Sequence, residues 1–127
     1  MQPNTNKPRD PDRVLHMAEA AQWLAKQAVG LTLADLLANK TLQLAMERQF
    51  EILGEAASHV SIATQQHYSA IEWRRIKSFR NLIAHEYFRV DYAQILYTAQ
   101  HIVPALLPLL VDLLADLNQE FGPDARV

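Results

Sequence analysis

Apolar residues recur at three- and four-residue intervals over the last third of the chain, and this pattern constrains the fold more than any other feature. The residues are Ile95, Ala99, Ile102, Val103, Leu106, Leu109, Leu110, Leu113 and Leu117. This spacing is typical of one helix face buried against other helices. Pro104 and Pro108 lie within it, and each removes a backbone donor and collides with the preceding turn. We therefore predict a long core helix, kinked near the prolines.

Capping residues mark the starts of earlier helices. Asp10 is placed to cap a first helix that runs to about Val29, after which a glycine ends it. Thr32 and Asp35 resemble a capping box that opens a short helix over residues 33–38. The first third of the chain is therefore predicted to be helical.

The middle of the chain predicts two more helices. The first begins at a cap, Asn39 or Thr41, ends near Val60, and carries Gly54, which would let a neighbouring helix approach closely. Residues 58–69 lose the periodicity and predict a connection. A third helix, starting near residue 69, would place on one face Trp73, Ile76, Phe79 and Ile83.

Composition and length fit one domain. The chain has 127 residues, of which half are hydrophobic and a fifth are charged, so it can bury a single core. No segment alternates apolar and polar residues over the length of a strand. We predict an all-α up-and-down bundle of four or five helices at residues 10–121, a flexible tail at 1–9 and a C-terminal tail at 122–127.

The absence of cysteine excludes a disulfide scaffold, a thiolate nucleophile and a zinc site built on sulfur, and it suits a reducing cytoplasm. The longest apolar run, residues 102–111, is about half the length that crosses a bilayer, so no membrane association is expected. The histidines outside the motif described below have no ligand-type spacing, so we predict no metal site and no cofactor.

Positive charge is concentrated in one short segment of a chain whose net charge is −2. Residues 71–89 contain two acidic side chains and five basic ones, which are Arg74, Arg75, Lys77, Arg80 and Arg89. Such a segment is suited to recruit an anion, and the alternative is an ordinary solvated helix face.

Arg80 and His85 are the candidate catalytic pair within this segment. Histidine exchanges a proton near neutral pH, and arginine holds a phosphate through two parallel hydrogen bonds. Positions five apart on a straight helix are rotated by about 140°, so the helix should loosen near His85 or the two groups should meet across a subunit boundary. Alternatively, the pairing is fortuitous and the histidine caps helix carbonyls.

The segment Arg80-Asn81-Leu82-Ile83-Ala84-His85-Glu86-Tyr87 resembles the R-x4-H-x-Y signature of HepT-like toxins of the HEPN superfamily. Similar context extends to Glu47-Arg48, to residues 52–57 and to Val90-Asp91 at the start of the last helix. The resemblance implies a homodimer in which both subunits contribute Arg80 and His85 to a shared cleft. It also implies metal-independent RNA cleavage through attack of the ribose 2′-hydroxyl.

The resemblance further implies that Tyr87 accepts adenylyl groups from a partner, a minimal nucleotidyltransferase that serves as antitoxin. Asn81 is a secondary candidate for orienting the phosphate, and Arg74, Arg75 and Lys77 are possible RNA contacts. Two other readings stay open at this point. The chain could be a catalytically silent, substrate-recognition partner of a nucleotidyltransferase, or a helical dimerisation module without a role in nucleic acid binding.

Overall fold

The computed structural model describes residues 9–84 and 90–121, and within these ranges the chain forms helices and contains no strand. The helices are α1 (Asp10–Ala28), α2 (Leu33–Leu37), α3 (Lys40–His59), α4 (Ile62–His67), α5 (Trp73–Ser78), α6 (Asn81–Ala84), α7 (Tyr92–Tyr97) and α8 (Val103–Phe121), with a π-helical turn (Thr98–Ile102) joining α7 to α8. The predicted all-α class is confirmed. The two predicted tails lie outside the described residues, apart from Arg9.

Three long helices build the core. α1 packs against both α3 and α8, and the shorter helices close the sides of this layer. The largest fully buried side chains come from all three helices and from their neighbours: Phe50, Met17, Leu24, Leu36, Met46, Leu53, Ile76, Ile95, Leu110, Leu113, Leu117 and Val14. Their burial removes apolar surface from water, which is the main favourable term in folding.

The predicted kink in the last helix takes the form of a wide turn just before Pro104. The amide of Val103 donates to the carbonyl of Thr98, five residues back, as in a π-helix. In a regular helix the ring of Pro104 would collide with the carbonyl of Gln100, and the wider turn relieves this. Pro108 lies inside α8, which continues past it.

The wide turn also helps to close the end of α1. The side-chain amide of Gln100 donates to the carbonyl oxygens of Ala28 at 2.9 Å and Leu31 at 2.8 Å. Gly30 lies between these two residues with a φ of 69°, a conformation that glycine adopts without strain. Gly30 thus ends α1 as predicted, and Gln100 satisfies two of the carbonyls that the helix end exposes.

The caps of α2 and α3 follow the prediction. Thr32 Oγ1 accepts from the amide of Asp35 at 3.0 Å, and the Asp35 carboxylate accepts from the amide of Thr32 at 3.2 Å. Asn39 Oδ1 accepts from the amide of Leu42 at 3.0 Å, so Asn39 is the residue that caps α3.

Asp10 does not cap α1, and that prediction was wrong. It is the first helical residue, and the carboxylate of Asp12 reaches back to the amide of Arg9 at 3.1 Å. The carboxylate of Asp10 instead accepts from Ser61 N at 2.9 Å, Ser61 Oγ at 2.6 Å and Thr64 Oγ1 at 2.6 Å. Three donors at the start of α4 outcompete the local cap, so Asp10 ties α1 to α4.

The region predicted as a connection and a third helix is more broken than expected. α4 lies inside the predicted connection, and the predicted third helix is divided into α5 and α6 by a turn at Phe79 and Arg80. In this turn the amides of Phe79, Leu82 and Ile83 each bond three residues back. The ring of Phe79 is buried edge-on against Phe50, with 5.5 Å between centroids. The helix is interrupted at the residue that makes this tertiary contact.

The continuous helix over Tyr92–Gln119 is long and apolar enough to cross a bilayer by length and composition alone, although no membrane span was expected. Its apolar stripe packs against α1 in the core. A core helix of a bundle acquires the same length and apolarity because one face must be buried.

Candidate functional site

Arg80 lies in the turn between α5 and α6, held close to α3. Phe79 anchors the turn on Phe50, and Gly54 lies one helical turn further along α3. A Cβ atom at Gly54 would lie 2.6 Å from Cγ of Arg80 and 3.3 Å from its backbone nitrogen. The close approach predicted for Gly54 is confirmed, and the group that approaches is the candidate catalytic arginine.

The guanidinium of Arg80 is paired with a glutamate on the next position of α3. Arg80 Nη1 lies 3.3 Å from Glu55 Oε2, and both side chains are about half exposed. The other oxygen of Glu55 lies 2.9 Å from Nε2 of His59. The hydrogen bond with His59 and the charge of Arg80 lower the pKa of Glu55 below its usual value. Both causes favour the ionised form of Glu55.

A cavity of about 300 Å³ opens beside this pair. Its lining comes from α1, α3 and the turn before α6, and consists of Arg13, His16, Arg48, Glu51, Ile52, Glu55, Ala56 and Arg80. Three arginines thus face two glutamates around one small space. We name this space the arginine cavity.

Two of these arginines have hydrogen-bonding capacity that no described residue uses fully. Within the described residues, neither Arg13 nor Arg48 forms an ion pair, although two glutamates line the same cavity. Nε of Arg13 is buried and has no hydrogen-bond partner in the described part of the chain. A buried donor without an acceptor costs about 1–3 kcal/mol, so this site favours an added anionic oxygen.

Sequence reasoning missed Arg13, His16, Arg48 and Glu55 as site residues. A signal existed, because Arg48, Glu51 and Glu55 follow one another at three- and four-residue spacing and so share a face of α3. What the sequence could not give is that this charged stripe faces α1 and the turn that carries Arg80.

The other predicted RNA contacts lie apart from the arginine cavity. Arg75 pairs with Glu72 at 3.1 Å, and Lys77 donates to the side-chain oxygen of Gln65 at 2.8 Å. Arg74 and Lys77 line a separate cavity of about 470 Å³. In the part of the chain that the structure describes, Arg74, Arg75 and Lys77 therefore do not gather around Arg80.

Four further predictions concern residues of the segment 71–89. Asn81 is exposed at the first position of α6. His85 and Tyr87 lie outside the described residues, so their predicted roles stay predictions. Trp73 is buried in the core, and its indole nitrogen donates to the carbonyl of Tyr68 at 3.1 Å. Trp73 is thus buried together with Ile76 and Phe79, with which the sequence predicts that it shares a face.

Comparison with known proteins gives the site a family context. The family model described as Ribonuclease HepT-like matches residues 17–113, which is most of the chain. The chain belongs to this family. The HepT-like family expected from the Arg80 to Tyr87 signature is therefore confirmed, and the chain is a member of a ribonuclease family.

Several HepT-like relatives cover most of the chain. A candidate RNase of Caldanaerobacter subterraneus subsp. tengcongensis is 29% identical over 72% of this chain and 81% of its own length. A protein of Thermococcus cleftensis named probable ribonuclease HepT is 28% identical over 75% of this chain and 86% of its own length. A candidate RNase of Methanocaldococcus jannaschii is 26% identical over 68% and 74%, respectively. No solved structure gives a significant match to the chain.

The residues that the family model matches include only some of those that line the arginine cavity. Arg48, Glu55 and Arg80 fall within the matched range, as do His85 and Tyr87. Arg13 and His16 precede it, yet they line the same cavity. The family match thus covers the α3 side of the cavity, and the first turns of α1 add a second basic side.

Proposed function

We propose that this HepT-like chain is a cytoplasmic toxin that cleaves RNA without a metal ion, using Arg80 and His85. The observation that carries the proposal is the position of Arg80. Its stem lies against Gly54, and its guanidinium stands at the edge of a cavity that two more arginines line. A cationic group held in this way can stabilise negative charge on a phosphate in the transition state.

The proposed reaction is an internal transesterification of the RNA backbone. The ribose 2′-oxygen loses its proton to a base and bonds to the adjacent phosphorus, while the bond to the 5′-oxygen breaks and that oxygen receives a proton from an acid. The products are a 2′,3′-cyclic phosphate and a free 5′-hydroxyl. The step needs a base and an acid at once, and imidazole can serve as either near neutral pH.

One His85 per chain cannot hold both roles in a single step, so we propose a homodimer that brings two copies to one scissile linkage. A two-fold axis would place one imidazole near the 2′-oxygen and the other near the 5′-oxygen. It would also bring two Arg80 side chains to the phosphate. Among the described residues, Glu55 pairs with Nη1 of Arg80, and the guanidinium has five N–H donors, so several remain for phosphate oxygens.

Regulation is proposed to act through Tyr87. A minimal nucleotidyltransferase antitoxin would transfer the adenylyl group of ATP to its hydroxyl, which loses its proton as pyrophosphate leaves. The product carries added bulk and negative charge two residues from His85. A phosphate already attached there would compete with RNA for the arginine cavity. The toxin would then be silent while the antitoxin is present.

The nuclease proposal is tested with purified protein and RNA in the presence of EDTA. Wild type should cleave, and Arg80→Ala and His85→Ala should each lose at least about 100-fold in rate, as expected for loss of a charge-stabilising or proton-transferring group. His67→Ala is the matched control, because His67 is exposed and does not line the arginine cavity. Cleavage that requires added metal would refute the mechanism, and absence of cleavage would favour the silent-partner reading.

The regulatory proposal is tested by co-expression with the minimal nucleotidyltransferase proposed as the antitoxin. Tyr87→Phe should remain toxic in its presence and should gain no nucleotide mass by intact mass spectrometry. Tyr97→Phe is the matched control, because Tyr97 is an exposed tyrosine at the end of α7. Equal modification of both variants would show that Tyr87 is not the modified residue.

A further inference from the structure

The arginine cavity continues along α1 and α3 into a second cavity. This neighbour has a volume of about 530 Å³ and is lined by His16, Glu19, Ala20, Trp23, Gln49 and Ile52. His16 and Ile52 line both spaces, so the two form one groove. We name it the α1–α3 groove, and Arg80 stands at one end of it while Trp23 stands at the other.

We propose that the α1–α3 groove binds the single-stranded RNA that flanks the cleaved linkage. Arg13 and Arg48 would hold the neighbouring phosphate, and Trp23 would receive the base that follows. The inference rests on the proposed ribonuclease function for its choice of ligand. It adds a substrate path that lies largely on α1.

The phosphate part of the proposal stands on the arginine cavity. Arg13 and Arg48 come from opposite walls, neither forms an ion pair within the described ranges, and Nε of Arg13 is buried without an acceptor. A phosphate oxygen is the acceptor that two guanidinium groups bind best, because their donor forks match its geometry.

The base part of the proposal stands on the second cavity. Trp23 is half-buried and packs against the core, so its ring is held in place while one side borders the groove. Ala20 and Ile52 supply apolar surface beside it, and Gln49 can donate to or accept from a base edge. Three arginines and three glutamates line the groove, so the phosphate contacts are assigned to Arg13 and Arg48 and not to a net positive charge. An aromatic ring beside arginine side chains is one way in which proteins bind unpaired nucleotides.

The spacing of the groove suits a short strand. Arg13, His16, Ala20 and Trp23 recur at three- and four-residue intervals, so they share one face of α1. Ten residues of helix from Arg13 to Trp23 span about 15 Å, which is at most about four nucleotides stacked about 3.4 Å apart. The groove therefore has room for a few unpaired nucleotides.

The experiment measures binding separately from cleavage. The probe is a fluorescent, mixed-sequence single strand of about eight nucleotides with 2′-O-methyl riboses, which cannot undergo attack by the 2′-oxygen, and affinity is read by anisotropy over a salt series. Arg13→Gln and Arg48→Gln should each weaken binding roughly ten-fold and reduce the salt slope by about 0.7. Trp23→Leu should weaken binding roughly 5- to 100-fold, whereas Trp23→Phe should retain most of the affinity.

Lys40→Gln is the charge-matched control, because Lys40 is exposed on α3 and lines neither part of the groove. Circular dichroism verifies that each variant is folded, and light scattering gives its oligomeric state. Groove variants that bind like Lys40→Gln, or a wild type that does not bind the probe, would overturn the proposal. So would a loss of subunit association in the arginine variants with unchanged affinity, because the groove would then be an interface between copies.

The outcomes separate this inference from the nuclease proposal. If the wild type binds the probe through Arg13, Arg48 and Trp23 but cuts no RNA, the groove proposal is supported and the nuclease proposal is refuted. If the wild type cuts RNA and all groove variants keep full affinity for the probe, the nuclease proposal is supported and the groove proposal is refuted.

Discussion

Replacing Gly54 with alanine should impair Arg80 far more than it impairs the fold. The added Cβ would lie 2.6 Å from Cγ of Arg80, whereas carbon atoms in contact prefer at least about 3.5 Å. The arginine stem must therefore move by about 1 Å. The backbone of Arg80 restricts this movement, because the amide nitrogen of Arg80 would lie only 3.3 Å from the added Cβ atom.

The effect on stability is the difference between two opposing terms. Alanine favours a helix interior over glycine by about 1 kcal/mol, while overpacking a close contact costs about 1–3 kcal/mol. The free energy of unfolding should fall by about 0–2 kcal/mol, which lowers Tm by at most about 8 °C. Displacing a catalytic group by about 1 Å costs about 100-fold in rate, so RNA cleavage should fall by that factor in a protein that remains folded.

A double-mutant cycle isolates the contact. In an Arg80→Ala background the stem carbons are absent, and Gly54→Ala should become neutral or stabilising by up to about 1 kcal/mol. Urea unfolding of the four proteins gives the coupling, and cleavage in EDTA gives the rate. Equal destabilisation in both backgrounds, or full activity of the single variant, would refute the idea that Gly54 sets the position of Arg80.

Three other predictions concern single contacts and are measured by urea unfolding. The fold favours the ionised form of Glu55, so the contribution of Glu55 to the free energy of unfolding is present above the ordinary pKa of 4.5 and is lost as pH falls through the lowered pKa. Glu55→Gln should therefore flatten the acid side of the plot of stability against pH, and it should change stability at pH 7 by less than about 1 kcal/mol. An unchanged acid side would contradict this. Burial and the 2.6 Å hydrogen bond to Glu47 raise the pKa of Tyr92 to about 12, so the stability that Tyr92 contributes below pH 10 is lost between about pH 10 and 12. Tyr92→Phe should reduce the free energy of unfolding by about 1–2 kcal/mol at pH 7. It should not show the decrease in stability between about pH 10 and 12. Asp10→Ala should cost about 1–3 kcal/mol because it removes three hydrogen bonds to α4, and a loss under 0.5 kcal/mol would show that these bonds are replaced by water.

Features that depend on local sequence were predicted well. The period of the last helix, the cap at Asn39, the reciprocal capping at Thr32 and the end of α1 at Gly30 all appear in the structure. Each depends on residues within a few positions of one another, and their chemistry is sufficient to specify the local conformation.

Features that depend on distant partners were not predictable from local patterns. The carboxylate of Asp10 turned from its own helix to donors more than fifty residues away. The turn at Phe79 follows from burial against Phe50, which no local pattern indicates. Arg80 was identified from the family signature, but its partner Glu55 and the facing Arg13 depend on how α1, α3 and the turn pack together.

The wide turn over Thr98–Ile102 gives the last helix some tolerance in its length. A π-helical turn holds one residue more than an α-helix would at the same place, while the flanking segments keep their orientation. Removing one residue here could be absorbed by returning to ordinary winding, provided that Pro104 is also replaced. The same deletion further along α8 would rotate everything beyond it by about 100° and turn Leu113 and Leu117 out of the core. Insertions and deletions in relatives should therefore collect at this turn.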